Sequence, residues 1–145
     1  MGLTLRCKKT NLSMDMGYGG FMRLRNKVAE LIGEPFASHE LQLSTGRVIS
    51  LYGEERDRFY EKFNAETERM IKRRQVSIKM VHFLHQSDCG GSIRYGACAE
   101  LLRIIGDYDD NVYYGYVGHG DNAKWSRFVA ILRDCVANKC DMVWD

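Results

Sequence analysis

Leu3, Leu5 and Cys7 alternate with Thr4 and Arg6 near the start of the chain, the period of a strand with one buried face. Thr10-Asn11 offers a turn and residues 13–16 a second short strand, so the N-terminus reads as a hairpin. Gly17-Tyr18-Gly19-Gly20 breaks it. Over 21–32 the period changes: Leu24, Val28, Leu31 and Ile32 share one stripe, and Gly33 stands where a helix C-cap belongs. The spacing predicts further helices over 53–74, edged by Phe59, Phe63, Met70 and Ile71, and over 92–105, with Ile93, Ala97, Leu101, Ile104 and Ile105 inward. It predicts a last helix over 122–138, burying Trp125, Phe128, Val129, Leu132 and Val136. Residues 76–85 fit two periods. Ile78, Met80, His82 and Leu84 alternate, whereas Ile78, Val81 and Leu84 form a helical stripe, and the helical reading is preferred.

Two stretches carry no sustained period. Residues 34–50 read as a long loop with a short hairpin near Val48-Ile49. Residues 107–120 mix acids, tyrosines and glycines around a short strand at 112–117. Residues 140–144 read as a terminal strand able to close the sheet begun by Leu3. The expected architecture is therefore α+β: about four helices packed on a small, mostly antiparallel sheet formed by the chain ends. A length of 145 residues suits a single domain over 1–145, large enough to be stable without staples.

Charge narrows the partners. With 21 basic and 19 acidic residues, the balance gives no strong nucleic-acid signal. Lys72, Arg73 and Arg74 follow Glu61, Glu66 and Glu68, acids early and bases late, which complements a helix dipole. Nothing approaches the roughly 20 apolar residues of a membrane span, and no signal segment is evident. A cytoplasmic protein with no membrane partner is expected. Its five cysteines (Cys7, Cys89, Cys98, Cys135 and Cys140) should then be thiols, and their odd number argues against a closed disulfide set. They form no close pair, Cys135 and Cys140 being five apart.

Candidate chemistry begins with a repeated form. Gly19-Gly20-Phe21-Met22-Arg23 and Gly90-Gly91-Ser92-Ile93-Arg94 both read Gly-Gly-x-apolar-Arg, each preceded by an acid, Asp15 or Asp88, and each expected to open a helix. Paired glycines at a helix start can aim backbone amides at an anion. Arg23, Arg25 and Arg94 could grip phosphate, and Tyr18 and Tyr95 could stack on a base. The competing reading is steric: glycines permit tight turns, and the arginines pair with Asp15 and Asp88. Neither stretch matches a Walker loop or dinucleotide fingerprint.

Other groups are weaker. His82, His85, Asp88 and Cys89 could meet on one helix face as zinc ligands, but lack the usual zinc spacings. Asp107, Asp109, Asp110, Asn111 and Asp121 could hold a cation, yet Val112 and Gly118 stand where an EF-hand needs glycine and glutamate. Cys89 before a helix, with His85, His119 and Asp88, could form a nucleophile and base, without a recognised motif. Tyr108, Tyr113, Tyr114 and Tyr116 are crowded enough for a recognition surface, with Tyr113 on the outward side. No catalytic residue, metal or cofactor is assigned.

Ser87-Asp88-Cys89-Gly90-Gly91, Tyr95, Cys98, 107–110, Tyr114-Gly115-Tyr116, Gly118, Asp134-Cys135, Asn138-Lys139-Cys140 and Trp144 together resemble a group of small, uncharacterised phage and prophage proteins. The resemblance covers roughly the last 60 residues. It implies a mobile-element origin and, by analogy with that class, interference with a host defence. The leading expectation is a non-catalytic binding protein that captures a host protein or a small phosphorylated, nucleotide-like ligand through Tyr18, Gly19, Gly20, Arg23, Arg25, Gly90, Gly91, Arg94, Tyr95 and Tyr113. A small hydrolase or phosphoesterase using His82, His85 and Asp88, or 107–110, is the rival. A homodimer joined through the tyrosine segment is the third option.

Overall fold

A computed structural model of the chain describes residues 2–115 and 123–145. Four antiparallel strands form one sheet in the order β2-β1-β4-β3, with β1 Gly2–Cys7, β2 Ser13–Gly17, β3 Gly91–Ile93 and β4 Met142–Trp144. The two ends of the chain meet at its centre, where Leu5 opposes Trp144 and Cys7 opposes Met142. The alternation at Leu3, Leu5 and Cys7 sends all three to one buried face, joined by Met14, Met16, Ile93, Met142 and Trp144. The other face carries Thr4, Arg6, Asp15 and Ser92, and the Thr4 hydroxyl donates to Asp15 across the strands (2.6 Å). One apolar face calls for one helical layer, giving the two-layer α+β fold expected from the sequence.

That layer is built from α1 Tyr18–Ile32, α5 Ile78–His85, α6 Tyr95–Ile105 and α7 Trp125–Asn138. Phe21 of α1 and Phe83 of α5 close on the Trp144 indole, with ring centroids 5.4 and 5.9 Å away. The indole N–H donates to the Ser87 carbonyl (3.0 Å). Burial of both the ring and its polar handle fixes Trp144 as the centre of the core. Helix α4, Gly53–Lys72, is more peripheral and buries only Phe63, Thr67 and Met70.

The structure corrects three sequence readings. Residues 34–50 are not a loop with a hairpin: they form α2 Phe36–Leu41, a 3-10 turn Gln42–Ser44 and α3 Gly46–Ile49, the last capped by Thr45, whose hydroxyl oxygen accepts from the Val48 amide. Elements this short bury too few residues to display a period, here Phe36, Ala37, Glu40 and Val48. The helix expected over 92–105 starts at Tyr95, because 91–93 pair with β4 as a strand. The side chain of Gln86 binds the outer edge of that strand, accepting from Ser92 N–H (2.9 Å) and donating to Ser92 C=O (2.8 Å), as a neighbouring strand would. The expected strand at 112–117 is reduced to an isolated bridge between Tyr113 and Lys124, and 116–117 lie outside the described residues. No helix among the described residues is long and apolar enough to cross a membrane.

Candidate functional site

Gly19 and Gly20 occupy the first turn of α1, as the sequence predicts, but their surroundings are filled from within. A Cβ at Gly20 would lie 1.9 Å from the Tyr114 carbonyl oxygen, which sits against the start of the helix. An acceptor of the chain itself therefore stands where an anion was expected. Arg23 faces the same segment, with Nη2 3.5 Å from the Tyr113 carbonyl and its guanidinium 5.7 Å from the Tyr114 ring centre. Tyr18 packs against the core. Arg25 is turned inward: it forms an ion pair with Asp88, donates to the carbonyls of Gln86 (2.7 Å) and Phe83 (3.3 Å), and lies over Phe21. Arg25 is thus a clamp between α1 and the loop after α5, as the steric reading had it.

The second glycine pair does not open a helix. Gly91 begins β3 beneath Trp144, and a Cβ there would come within 2.4 Å of the indole. The following amide, Ser92 N–H, is spent on Gln86. The two pairs adjoin opposite edges of the sheet and form no common site.

Two predicted residues do meet in an open groove. Arg94 and Tyr95 begin α6, and with Gly96, Ala97, Ile78, Lys79, His82, Ser92, Ile93 and Asp141 they line a space of about 840 Å³. No side chain caps α6, and its first turn holds no acid, so the amides of Tyr95, Gly96 and Ala97 give this end of the groove an uncompensated positive potential. Lys79 adds to it. Its ammonium lies 3.5 Å from where a Cβ on Gly96 would be, directly against that turn. A cation at a helix N-terminus opposes the dipole instead of complementing it. Among the described residues neither Lys79 nor Arg94 makes an ion pair, and Asp141 is the one carboxylate in the lining. Tyr95 and Ile78, 45% and 69% exposed, provide aromatic and apolar surface beside these charges.

No family model, curated protein or solved structure matches the chain.

Function must therefore be read from the chain's own chemistry. Lys79 was absent from the sequence-derived site. The signal was available, since a helix beginning at Ile78 puts 78, 79 and 82 near one side, but the two competing periods obscured it. Of His82, His85, Asp88 and Cys89, only His85 and Asp88 line a common groove, which Arg25 lines as well. His82 lines the α5–α6 groove, Asp88 is held by Arg25, and His85 Nε2 meets both oxygens of the buried Glu40 (2.8 and 3.0 Å). The Glu40–His85 pair lines a smaller groove of about 490 Å³ with Asn26, Ser44 and Tyr60.

His39, close by, is satisfied as a neutral ring. The Thr67 hydroxyl donates to the Phe63 carbonyl, so it must accept from His39 Nε2–H (2.8 Å), while Gln42 donates to Nδ1. Burial lowers the His39 pKa, against the weaker opposing pull of Glu40 and Glu66, and its ring stacks on Phe63 at 4.1 Å. The acidic run is also structural. Asp110 accepts from the hydroxyls of Tyr108 (2.9 Å) and Tyr114 (3.0 Å) and from the Val112 amide. Burial, then Asp110, raises the Tyr114 pKa. Asp121 and His119 lie outside the described residues. Tyr114 is buried and Tyr113 half exposed, as alternation predicts, with Lys124 5.0 Å over the Tyr113 ring.

Proposed function

We propose that this protein is a non-catalytic binding protein for a small anionic ligand, a phosphorylated nucleotide-like molecule in the first instance, taken up in the groove between α5 and α6. The observation that carries the proposal is the stacking of like potentials at one spot: the uncapped start of α6, the Lys79 ammonium against it and Arg94 beside it, without an acidic partner for either cation among the described residues. Such an arrangement costs electrostatic energy when empty and recovers it when an anion enters. Tyr95 would stack on the ligand's planar part, and His82 would add a further donor. The resemblance to phage and prophage proteins supports a role in which this capture withholds the ligand from a host process.

Capture is favoured over turnover because Asp88 is paired with Arg25, His85 with Glu40, and Asp110 with the hydroxyls of Tyr108 and Tyr114. A hydrolytic reading rests on Glu40 and His85, the one carboxylate–imidazole contact among the described residues.

The test is a thermal-shift titration with adenine and guanine mononucleotides and inorganic phosphate, in EDTA. Stabilisation of the wild type that is lost in Lys79→Glu and Arg94→Glu, and kept in Arg23→Glu, supports the α6 groove. Stabilisation lost only in Arg23→Glu returns the site to the first glycine pair. No shift with any of these anions ends the proposal, and hydrolysis of a generic phosphodiester that His85→Ala abolishes would replace it.

A further inference from the structure

Four of the five cysteines are buried, and three of them converge on one point from three parts of the chain. Cys7 ends β1, Cys135 lies in the last turn of α7, and Cys140 follows that helix. The sulfurs of these three lie within 4.8 Å of one another, the one such gathering of potential metal ligands among the described residues. Cys98 of α6 interacts with Cys135 from its own side.

The backbone explains the convergence. Lys139 adopts the left-handed conformation, the Cys140 amide donates to the Cys135 carbonyl (3.1 Å) and the Lys139 amide to the Val136 carbonyl (3.3 Å). That is a Schellman turn, which brings the residue two past the cap back onto the last helical turn, so a five-residue separation becomes side-chain contact. Cys7 arrives from the centre of the sheet. The turn after it is tied to α7 by the Thr10 hydroxyl donating to Asp134 (2.7 Å), one residue before Cys135.

Packing of small apolar thiols does not account for this contact. Cys7 and Cys140 sulfurs are 2.7 Å apart, inside the roughly 3.5 Å at which even carbon atoms come to rest.

We infer that Cys7, Cys135 and Cys140 form a binding site for a thiophilic metal ion of the zinc class, with Cys98 the nearest fourth thiol. Zinc–thiolate bonds of about 2.3 Å set tetrahedral sulfurs about 3.8 Å apart, between the closest separation in this cluster and its outer limit of 4.8 Å. The sulfurs need to shift by about an ångström. Each thiol gives its proton to solvent and a sulfur lone pair to the ion, and no oxidant is involved. The site would join β1, α7 and the approach to β4, the seam where the chain ends meet.

Reduced, metal-free, full-length protein titrated with Co²⁺ should develop thiolate-to-metal charge-transfer bands that saturate at one ion per chain and disappear on adding Zn²⁺. Cys140→Ser, at the outer rim of the cluster, should lose most of the band, and Cys89→Ser, at the exposed cysteine, should keep it. Should Cys140→Ser fail to fold, X-ray absorption of the zinc-loaded wild type decides, because among the described residues only this cluster can supply three or four sulfurs. Fewer than three sulfurs, no charge-transfer band in the reduced wild type, or a band that survives in folded Cys140→Ser overturns the inference. So does purified protein whose stable form is a Cys7–Cys140 disulfide without metal.

Discussion

The glycine pairs at 19–20 and 90–91 share a sequence form and, in one respect, a structural rule: the second glycine of each is where another part of the chain comes too close for a side chain. They differ in what comes close. At Gly20 it is the Tyr114 carbonyl, on a segment tied down by the Tyr114 amide to Ala123 and the Tyr114 hydroxyl to Asp110. At Gly91 it is the Trp144 indole, locked by Phe21, Phe83 and the Ser87 carbonyl in the middle of the core. The first pair begins a helix and the second begins a strand. A shared Gly-Gly motif therefore reports close approach, and the identity of the neighbour decides how much the approach matters.

The difference is broken most directly at Gly91. A methyl there must displace an indole with no free side, so Gly91→Ala should destabilise by about 3 kcal/mol, at the upper end of overpacking costs. Gly20→Ala meets a backbone carbonyl at closer range, but on a segment held by the Tyr114 amide, the Tyr114 hydroxyl and one isolated bridge instead of by a sheet. It should cost about 2 kcal/mol and expose Tyr114, which near-ultraviolet circular dichroism would detect. Urea denaturation of both variants checks the order. Equal losses, or a larger one at Gly20, would mean that the 113–115 segment is as firmly held as the core.

Arg25 connects the two regions, since it leaves α1 and ends on the loop before Gly90. Arg25→Met keeps the packing on Phe21 and strands the Gln86 and Phe83 carbonyls. It should cost about 2 kcal/mol, below the loss for a fully buried pair because Asp88 is 37% exposed. In a double-mutant cycle, coupling should appear with Gly91→Ala, whose strand is held by Gln86, and be near zero with Gly20→Ala. Coupling of the opposite pattern would place the clamp's strain in α1.

Both steric penalties should also be indifferent to pH, on a background that is not. His39 is held neutral with a folded-state pKa below that of the unfolded chain. Between those two values the unfolded state binds more protons, so stability rises with pH there and is lost as pH falls from about 6.5 through the folded pKa. Urea midpoints at pH 7 and pH 5 should fall for the wild type and for both glycine variants alike, and fall less for His39→Gln. A glycine penalty that changes across that range would point to a titrating group at the contact.

The same contrast shows what a sequence can disclose. Period-2 alternation at Leu3, Leu5 and Cys7 and the stripe through Phe128 and Leu132 survive because each element buries one face of itself, and the α+β architecture follows from them. Strand β3 did not show because three residues carry no period, and Gly91 is required by Trp144 at the other end of the chain. The α6 groove was half legible. Arg94 and Tyr95 could be singled out by type, but Lys79 matters only for its position against a helix start whose boundary lay inside an expected helix. The cysteine cluster divides in the same way: Cys135 and Cys140 are joined by a local turn, whereas Cys7 reaches them only through the sheet.

The first glycines of the pairs complete the comparison with the smallest effect and the opposite sign. Nothing lies within 4 Å of a Cβ at Gly19, which sits in the first turn of α1 with ordinary helical backbone. Alanine there restricts the unfolded chain without meeting an obstacle, so Gly19→Ala should stabilise by about 0.5 kcal/mol, less than the full interior propensity difference because the position is near the helix end. Gly90 has its nearest neighbour, the Trp144 carbonyl, at 3.8 Å, an ordinary contact, and Gly90→Ala should be within about 0.5 kcal/mol of neutral. Thermal unfolding of the two variants beside Gly20→Ala and Gly91→Ala gives a four-point series in which only the second glycine of each pair is intolerant. Gly19→Ala should also leave mononucleotide binding unchanged. Loss of binding in a folded Gly19→Ala protein would show that the start of α1, and not the start of α6, receives the anion.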